Sequence, residues 1–249
     1  MPKISIITVN YKSTPLINEW EHKIDLTEAE YIVVDNSGDF VAARATTRVV
    51  DSGGNIGFGR ACNLGVEQSD ADIIVFANPD LELDGKQLSA FLEFSRAQSA
   101  HSIWGPFIRD GKGEVVSLFR PGRMGLVFSR RALSDTELVH ATLDTAYVSG
   151  ACLATSRCLF RSLGGFSDEI FLYGEDLDLC LRAKMVGASV CLTSGVELKH
   201  SGGGSSTRFD RYKRLFRSTS GHYALFRLHR YGPFRAAINA LHLASGRRF

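Results

Sequence analysis

Short β-branched runs, each closed by polar residues and separated by segments with helical spacing, restrict the fold of this chain more than any other feature. Residues 4–9 form such a run before Asn10, and residues 31–34 form a second run before the sequence Asp-Asn-Ser-Gly. Further strands are predicted over residues 48–50 and 72–77. Strands that alternate with helices are typical of parallel sheets with crossover connections. The pattern therefore predicts an α/β fold with a mostly parallel sheet flanked by helices.

Polar residues collect where these predicted strands and their following turns end. They are Asn10, Asp35, Asn55, Asn78 and Asp80. Open parallel sheets bind ligands outside the carboxyl ends of their strands. Turns also favour Asn and Asp for conformational reasons, so one such residue means little. Five of them at one predicted sheet edge indicate a ligand site.

The second half of the chain is less regular at first. Periodicity weakens over residues 98–145. Within this range, residues 118–137 are predicted to form a long mobile connection of the kind that forms lids or binding loops. A strand through Cys152 and a helix near Ser156 then follow, and Gly164 and Gly165 end that helix. A further helix is predicted to run to Gly187, before a last strand over residues 189–192.

The composition indicates a globular domain. With 249 residues, of which 44% are hydrophobic and 22% charged, the chain can bury a sizeable core. The apolar run near the amino terminus is too short for a signal peptide or a membrane span, which predicts a cytoplasmic protein. Five cysteines without CxxC spacing predict buried free thiols in a reducing compartment.

The carboxyl-terminal segment, residues 208–249, is predicted to be a basic, aromatic-rich helical tail that follows a domain over residues 1–207. Its single acid is Asp210, and its basic residues are Arg208, Arg211, Lys213, Arg214, Arg217, Arg227, Arg230, Arg235, Arg247 and Arg248. Such a segment can lie on an anionic membrane surface, at the inner face of the cytoplasmic membrane, or pack on the domain. Nucleic acid is the least favoured partner.

The glycine-rich stretch GGNIGFG, residues 53–59, differs from the standard nucleotide cradles. Its glycines do not follow the order G-x-G-x-x-G, and no GK[ST] sequence follows for a P-loop. A glycine-rich turn that opens a helix can still offer backbone N–H groups to an anion.

The stretch FLYGEDLDLCLR, residues 171–182, places Glu175, Asp176 and Asp178 between apolar residues. Acidic residues favour the first turn of any helix, which is a purely structural explanation. A carboxylate fixed at a helix start can also serve as a general base. Asp178 is expected to point elsewhere and to pair with Arg182 one turn later.

Taken together, these motifs resemble the family 2 glycosyltransferases of the GT-A fold, and within them the bacterial rhamnosyltransferase-like group. The matching stretches occur in family order over about the first four fifths of the chain. They are SIITVNY (5–11), VVDNSG (33–38), NIGFGRACNLG (55–65), FANPD (76–80), VSGACLATSR (148–157), GGFSDEIFLYGEDLDLCLR (164–182) and KHSGGGSS (199–206).

The resemblance implies a sugar-nucleotide donor, a divalent metal (Mn²⁺ or Mg²⁺) and inverting transfer to a hydroxyl group. Thr8, Asn10 and Asp35 would line the nucleoside pocket, where Asp35 would accept a hydrogen bond from the base. Asn55 and the backbone from Gly57 would lie near the ribose and diphosphate.

Asn78 and Asp80 match the family's DxD-type metal motif. His200 matches the separate position from which the family supplies a second metal ligand. Asn78 replaces the first aspartate of that motif, so Asp80 would supply its carboxylate.

The family's ED motif assigns the base to Asp176, with Glu175 shaping the acceptor pocket. The function implied is transfer of a sugar, with dTDP-rhamnose as the first candidate donor. The acceptor would be a glycan or a polyprenyl-diphosphate-linked molecule in cell-surface polysaccharide synthesis. A UDP-sugar donor and an inactive sugar-nucleotide-binding scaffold are the alternatives. A nucleotidyltransferase is less favoured because the first strand is not followed by a glycine-rich loop with a basic residue.

Overall fold

The computed structural model describes residues 1–23, 29–82, 84–109, 119–122, 125–130, 142–200 and 208–245. Strands and helices alternate mainly over residues 4–96, and five strands follow one another in the described part of residues 102–156. In chain order they are β1 Ile4–Asn10, α1 Thr14–Lys23, β2 Glu30–Asp35, β3 Thr47–Asp51, α2 Phe58–Glu67, β4 Ile73–Ala77, β5 Leu81–Glu82, α3 Gly85–Arg96, β6 Ser102–Arg109, β7 Phe119–Gly122, β8 Gly125–Arg130, β9 Thr142–Asp144, β10 Cys152–Ser156, α4 Arg157–Ser162, α5 Glu175–Met185, β11 Ser189–His200, α6 Arg208–Leu228 and α7 Pro233–Ser245.

A central sheet has the strand order β3-β2-β1-β4-β10-β6-β11-β5, and β9 also pairs with β11. The first four strands of this order are parallel to one another. Strand β10 is antiparallel to both of its neighbours, whereas β11 is parallel to β6. The predicted α/β class, with helices flanking a mostly parallel sheet, is confirmed.

Alternating side chains of the central strands fill two hydrophobic layers, one on each face of the sheet. Ile7 and Phe76 face the layer that contains residues of α2, α4 and α5. Ile6 and Val75 face the other layer, which contains residues of α1 and α3. Strands buried on both faces read as continuous apolar runs, which is the pattern that revealed them in the sequence.

Of residues 118–137, predicted to form a mobile connection, residues 119–122 and 125–130 form the paired strands β7 and β8, and the others lie outside the described part. The region between α3 and β10 also contains a strand that the sequence pattern did not predict. Strand β6 lies inside that region and sits between β10 and β11 in the sheet. Its pattern is interrupted by Gly105 and Pro106. A Cβ at Gly105 would lie 2.4 Å from Cγ1 of Val148, so this strand needs a glycine where another segment crosses closely. Residues 110–118, 123–124 and 131–141 lie outside the described part.

The last strand is longer than the predicted segment 189–192. Strand β11 continues to His200, and its register against β6 shifts between Thr193 and Glu197. This irregularity interrupts the alternation of side chains, so the sequence pattern indicated only the first part of the strand.

All five cysteines are free thiols, as predicted, but one prediction of burial is wrong. Cys62, Cys152, Cys180 and Cys191 are buried, whereas Cys158 is exposed. The short helix α4 turns the next two residues, Leu159 and Phe160, into the core, and this orientation leaves Cys158 on its outer side.

The carboxyl-terminal helices pack on each other and on the rest of the chain. Phe226, Ala236 and Ala240 are fully buried between α6 and α7. Leu225 is fully buried in a cluster with Ala146, Ile170 and Leu177. Residues 201–207 lie outside the described part, and a domain boundary at 207 remains a prediction. Within the part of the chain that the structure describes, we find no helix both long and apolar enough to cross a bilayer.

Candidate active site

The carboxyl ends of the parallel strands meet at one edge of the sheet, and most of the predicted site residues lie along it. Asn10 ends β1 and Asp35 ends β2, and these two positions are direct neighbours in the sheet. Asn78 follows β4. Because β10 runs in the opposite direction, its amino end lies at the same edge, and the Asn78 N–H donates to the carbonyl of Ala151 over 2.8 Å. The turn before β10 is thereby tied to the end of β4.

Asp35 is held at this edge by several hydrogen bonds. Its carboxylate accepts hydrogen bonds of 2.9 Å from Asn10 Nδ2, from the Ser37 N–H and from the Phe40 N–H. Burial raises the pKa of Asp35, but hydrogen bonds led by those of Phe40 and Ser37 outweigh it, and its pKa lies below the usual range. Asp35 is therefore a fixed anion.

Thr8 and Asn10 are both fully buried. The Thr8 hydroxyl donates to the carbonyl of Ala77 over 3.0 Å, which joins β1 to β4. Asn10 holds Asp35 through Nδ2 and accepts from the Ser13 N–H through Oδ1 over 3.0 Å. In this structure the side chains of Thr8 and Asn10 are therefore buried and bind protein atoms: Thr8 joins two strands, and Asn10 holds Asp35.

The glycine-rich turn before α2 lies beside the same edge. Gly57 adopts a φ of +92°, and its N–H donates to Asn55 Oδ1 over 3.1 Å. The next N–H, of Phe58, donates to the carbonyl of Phe171 over 3.1 Å. A Cβ at Gly57 would lie 2.5 Å from that same carbonyl oxygen, so only glycine allows this approach. These two N–H groups bind protein atoms, and they are not free to receive an anion here.

The predicted metal ligands occupy neighbouring backbone positions. Asp80 is half-buried in the turn after β4, and Leu81, the next residue, pairs with His200 at the end of β11. The side chain of His200 lies outside the described part. Among the side chains that are described, no group of three or more His, Cys, Asp or Glu residues could hold a metal. The residue types at these positions suit a divalent cation, because a carboxylate (Asp80) and an imidazole (His200) are metal ligands and the amide of Asn78 follows the same strand as Asp80.

The three carboxylates at the start of α5 point to three different environments. Glu175 is 5% exposed and packs against helix α2. Its Cβ is 3.6 Å from the position that a Cβ on Gly59 of α2 would take. Asp178 is 2% exposed. Asp176, between them, is half-buried at the edge of the sheet.

Asp176 is held by three hydrogen bonds. Its Oδ2 accepts from the Tyr147 hydroxyl and from the Gly150 N–H, both over 2.7 Å, and its Oδ1 accepts from the Leu177 N–H over 2.8 Å. The Gly150 contact ties Asp176 to the same turn that binds Asn78. Burial and the charge of Asp176 raise the pKa of Tyr147 well above its ordinary value, so Tyr147 is a neutral donor.

Glu175 differs from Asp176 in its surroundings. Its Oε2 is buried, and it has no hydrogen-bond partner within the described part of the chain. Burial, and then the neighbouring charge of Asp176, raise the pKa of Glu175 to about 8. This buried placement differs from the expectation that Glu175 shapes the acceptor pocket.

Asp178 forms the predicted pair with Arg182, whose Nη2 lies 2.6 Å from Oδ2 of Asp178. Its other oxygen, Oδ1, lies 3.0 Å from Nε2 of His229, beyond the end of α6. Sequence reasoning missed His229, Tyr147 and Gly150. Tyr147 and Gly150 lie 29 and 26 residues before Asp176, so no local spacing could reveal their contacts.

Comparison with known proteins identifies a family and relatives that match most of the chain. The sequence profile described as "Glycosyl transferase family 2" matches residues 5–163. The "Low-salt glycan biosynthesis hexosyltransferase Agl10" of Haloferax volcanii is 28% identical over an alignment of 229 residues, covering 86% of this chain and 72% of that protein. The "N-acetylglucosaminyl-diphospho-decaprenol L-rhamnosyltransferase" of Mycobacterium tuberculosis is 28% identical over 232 residues, covering 79% of this chain and 76% of the relative.

Solved structures resemble this fold at low sequence identity. The mannosyltransferase PcManGT of Pyrobaculum calidifontis, in complex with GDP-Man and Mn²⁺, has a TM-score of 0.62 and 17% identity, covering 98% of this chain and 73% of its own. GalNAc-T7, with UDP, GalNAc and Mn²⁺, also has a TM-score of 0.62, at 12% identity, covering 98% of this chain and 58% of its own. These likenesses concern the fold, and they confirm the predicted GT-A class.

The buried Glu175 predicts a specific pH dependence of stability. Its pKa is about 8 in the folded protein against 4.5 as the ordinary value, so the folded state retains a proton that the unfolded state releases. Stability is therefore lost as the pH rises from about 4.5 to about 8. We expect Glu175→Gln to remove this loss, because glutamine does not titrate. The unfolding temperature of the variant minus that of the unchanged protein should therefore become more positive as the pH is raised from about 5 to about 8.

Glu93→Gln, which changes an exposed glutamate on α3, is the matched control and should show a constant difference over this pH range. Thermal unfolding followed by circular dichroism at several pH values measures both variants. A pH-independent difference for Glu175→Gln would show that Glu175 is ionised in the folded protein.

Proposed function

The chain belongs to glycosyl transferase family 2, and from this premise we propose that it is an inverting, metal-dependent enzyme that transfers rhamnose from dTDP-rhamnose to a hydroxyl of a glycan or lipid-linked acceptor. That it is a glycosyltransferase follows from the family and from relatives named as hexosyltransferase and rhamnosyltransferase. The donor, the metal and the acceptor are the finer parts of the proposal. The observation that carries it is the carboxylate of Asp176, fixed at the edge of the sheet beside Asn78.

Asp176 is the base in this proposal. As the acceptor hydroxyl attacks the anomeric carbon, a new C–O bond forms, the bond to the diphosphate breaks on the opposite face, and Asp176 takes the hydroxyl proton. This displacement inverts the anomeric configuration. The contacts from Tyr147 and Gly150 fix the direction of the carboxylate, so no reorganisation is needed when the acceptor arrives.

The nucleoside is assigned to the edge formed by β1 and β2. Thymine and uracil present a ring N–H, and the Asp35 carboxylate, held by the Asn10 amide, is a fixed acceptor at that edge. Thr8, two residues before Asn10, joins β1 to β4. Asn55 and Gly57 are assigned to the ribose and diphosphate side. Because the N–H groups of Gly57 and Phe58 already bind protein atoms, the diphosphate charge needs another partner.

A divalent cation would provide that partner, and Asp80 and His200 are the residues proposed to hold it, with the Asn78 amide nearby. The pairing of His200 with Leu81 supports this assignment because it brings the two backbone positions together. When bound, such a cation stabilises the negative charge that develops on a diphosphate leaving group.

The relatives support the acceptor class and the first choice of donor. One is named as a rhamnosyltransferase of a decaprenol-linked N-acetylglucosaminyl diphosphate, and the other as a hexosyltransferase of glycan biosynthesis. By analogy, we assign this chain to cell-surface polysaccharide synthesis with a polyprenyl-diphosphate-linked acceptor. A UDP-sugar donor and an inactive sugar-nucleotide-binding scaffold are the outcomes that compete with this assignment.

The outer faces of α6 and α7 fit an anionic lipid surface, and we propose that the protein acts at the cytoplasmic face of the membrane. Phe216 is 76% exposed, and Leu241 is 55% exposed. Arg217, Arg227 and Arg230 accompany them, and the sequence has no acidic residue after Asp210. Exposed apolar side chains among arginines favour anionic headgroups over water.

The donor is tested by thermal unfolding with dTDP, UDP, GDP or ADP, each with and without MnCl₂ or MgCl₂. A ligand at about a hundred times its Kd adds roughly 2.7 kcal/mol to the free energy of unfolding. We expect the largest shift with dTDP and metal, and we expect Asp80→Asn to remove its metal-dependent part. Asp70→Asn, an exposed aspartate before β4, is the control. A larger shift with UDP would replace the donor, and no shift with any nucleotide would contradict the proposed function.

The membrane surface is tested by sedimentation with vesicles of phosphatidylglycerol and phosphatidylcholine. We expect Phe216→Ser combined with Leu241→Ser to reduce the bound fraction, and added salt to reduce it further. Val41→Ser, which changes a side chain 78% exposed on another part of the surface, should not alter binding. Equal binding by all three proteins would remove this face from the proposal.

A further inference from the structure

Helix α5 is preceded by a strained turn, residues 171–174, that is held from two sides. Tyr173 has a φ of +69°, which is rare for a residue with a side chain, and Gly174 follows with +106°. On one side, the Phe171 carbonyl accepts the N–H of Phe58, beside Gly57 of the glycine-rich turn. The direction of Asp176, two residues after Gly174, depends on how this turn is held.

The other side of the turn is held by α6. A Cβ on Gly221 would lie 2.1 Å from the carbonyl oxygens of both Leu172 and Tyr173. A Cβ on Gly174 would in turn lie 3.6 Å from the Gly221 carbonyl oxygen. The α6 backbone therefore lies directly on the turn, and the contacting atoms are backbone atoms that cannot rotate away.

A hydrogen bond between His229, directly after α6, and Asp178 fastens the end of α6 to α5. Asp178 accepts from Arg182 through Oδ2 and from His229 Nε2 through Oδ1 over 3.0 Å. Arg182 also donates to the carbonyl oxygen of Gly165 over 2.8 Å. Burial raises the pKa of Asp178, but the hydrogen bonds of His229 and Arg182 outweigh it and hold its pKa below the usual range. Asp178 is thus a carboxylate that accepts from both partners.

We propose that Gly221 and His229 are positioning residues for the base, so that α6 is part of the active site of the enzyme. This inference rests on the proposed function, in which Asp176 is the base. Gly221 lets the α6 backbone contact the turn that sets the start of α5, and His229 holds the first turn of α5 through Asp178. Neither residue contacts the acceptor in this account.

Two pairs of variants in the 249-residue chain test the inference. Gly221→Ala is matched by Ser220→Ala, because Ser220 is the preceding, exposed residue of α6. His229→Leu removes the hydrogen bond to Asp178, whereas His229→Gln keeps an N–H donor at a similar reach. Helix propensity favours alanine over glycine, so Gly221→Ala should not weaken α6 by itself.

The first readout is transfer from dTDP-rhamnose, or from the donor that the unchanged protein uses. Since a displacement of about 1 Å can lower a rate by about a hundredfold, we expect Gly221→Ala and His229→Leu to lower kcat by about 10- to 100-fold. The Kd for dTDP should change by less than about twofold, because this loss is confined to the reacting geometry. Ser220→Ala and His229→Gln should retain most of the activity.

The second readout does not need a substrate. Hydrogen exchange of the amides in residues 171–180 should be faster in Gly221→Ala and His229→Leu than in their partners. If the unchanged protein transfers no sugar, the proposed function fails, and the exchange rates still decide whether α6 holds the turn. Unchanged kcat and exchange in both variants would overturn the inference. So would an equal loss of kcat and dTDP affinity, or a failure of His229→Gln to restore kcat.

Discussion

The hydrogen bond between the Gly150 N–H and the Asp176 carboxylate joins the two halves of the site. Gly150 lies in the turn before β10, which also binds Asn78 at the end of β4, whereas Asp176 belongs to α5. The turn lies at this edge because β10 is antiparallel to its neighbours. A parallel strand at that place would have its amino end at the opposite edge. The mixed direction of the sheet is therefore what brings the carboxylate to the carboxyl ends of β1, β2 and β4.

The acidic residues at the start of α5 differ in protonation and accessibility because each lies in a different environment. Glu175 is buried against α2 and retains its proton toward pH 8, whereas Asp178 is buried against a cation and stays charged. Asp176 is half-buried, and its hydrogen bonds come from neutral donors. Only Asp176 combines a fixed direction with access to the edge of the sheet. The helix dipole acts on all of them, so the difference comes from burial and partners.

The sequence predicted the elements that are built from local patterns. Buried strands read as apolar runs, and the Asp178–Arg182 pair follows from helical spacing. It did not predict β6, because Gly105 and Pro106 interrupt the pattern, and the glycine is required by the close approach of Val148. The contacts of Tyr147 and His229 were also missed, because they connect residues 29 and 51 positions apart in the chain. The motifs indicated which residues matter, but the separation of Glu175 from Asp176 required the structure.

The most direct test of the central claim is the turnover of Asp176→Asn. An asparagine oxygen can still accept from Gly150 and Tyr147, two of the three donors to Asp176, so the side chain should keep its direction while losing its ability to take a proton. We expect kcat to fall by at least about 10²-fold, with the dTDP affinity preserved. Asp70→Asn, on the far side of the sheet, should behave as the unchanged protein. Equal turnover by Asp176→Asn and the unchanged protein would contradict the role of Asp176 as the base.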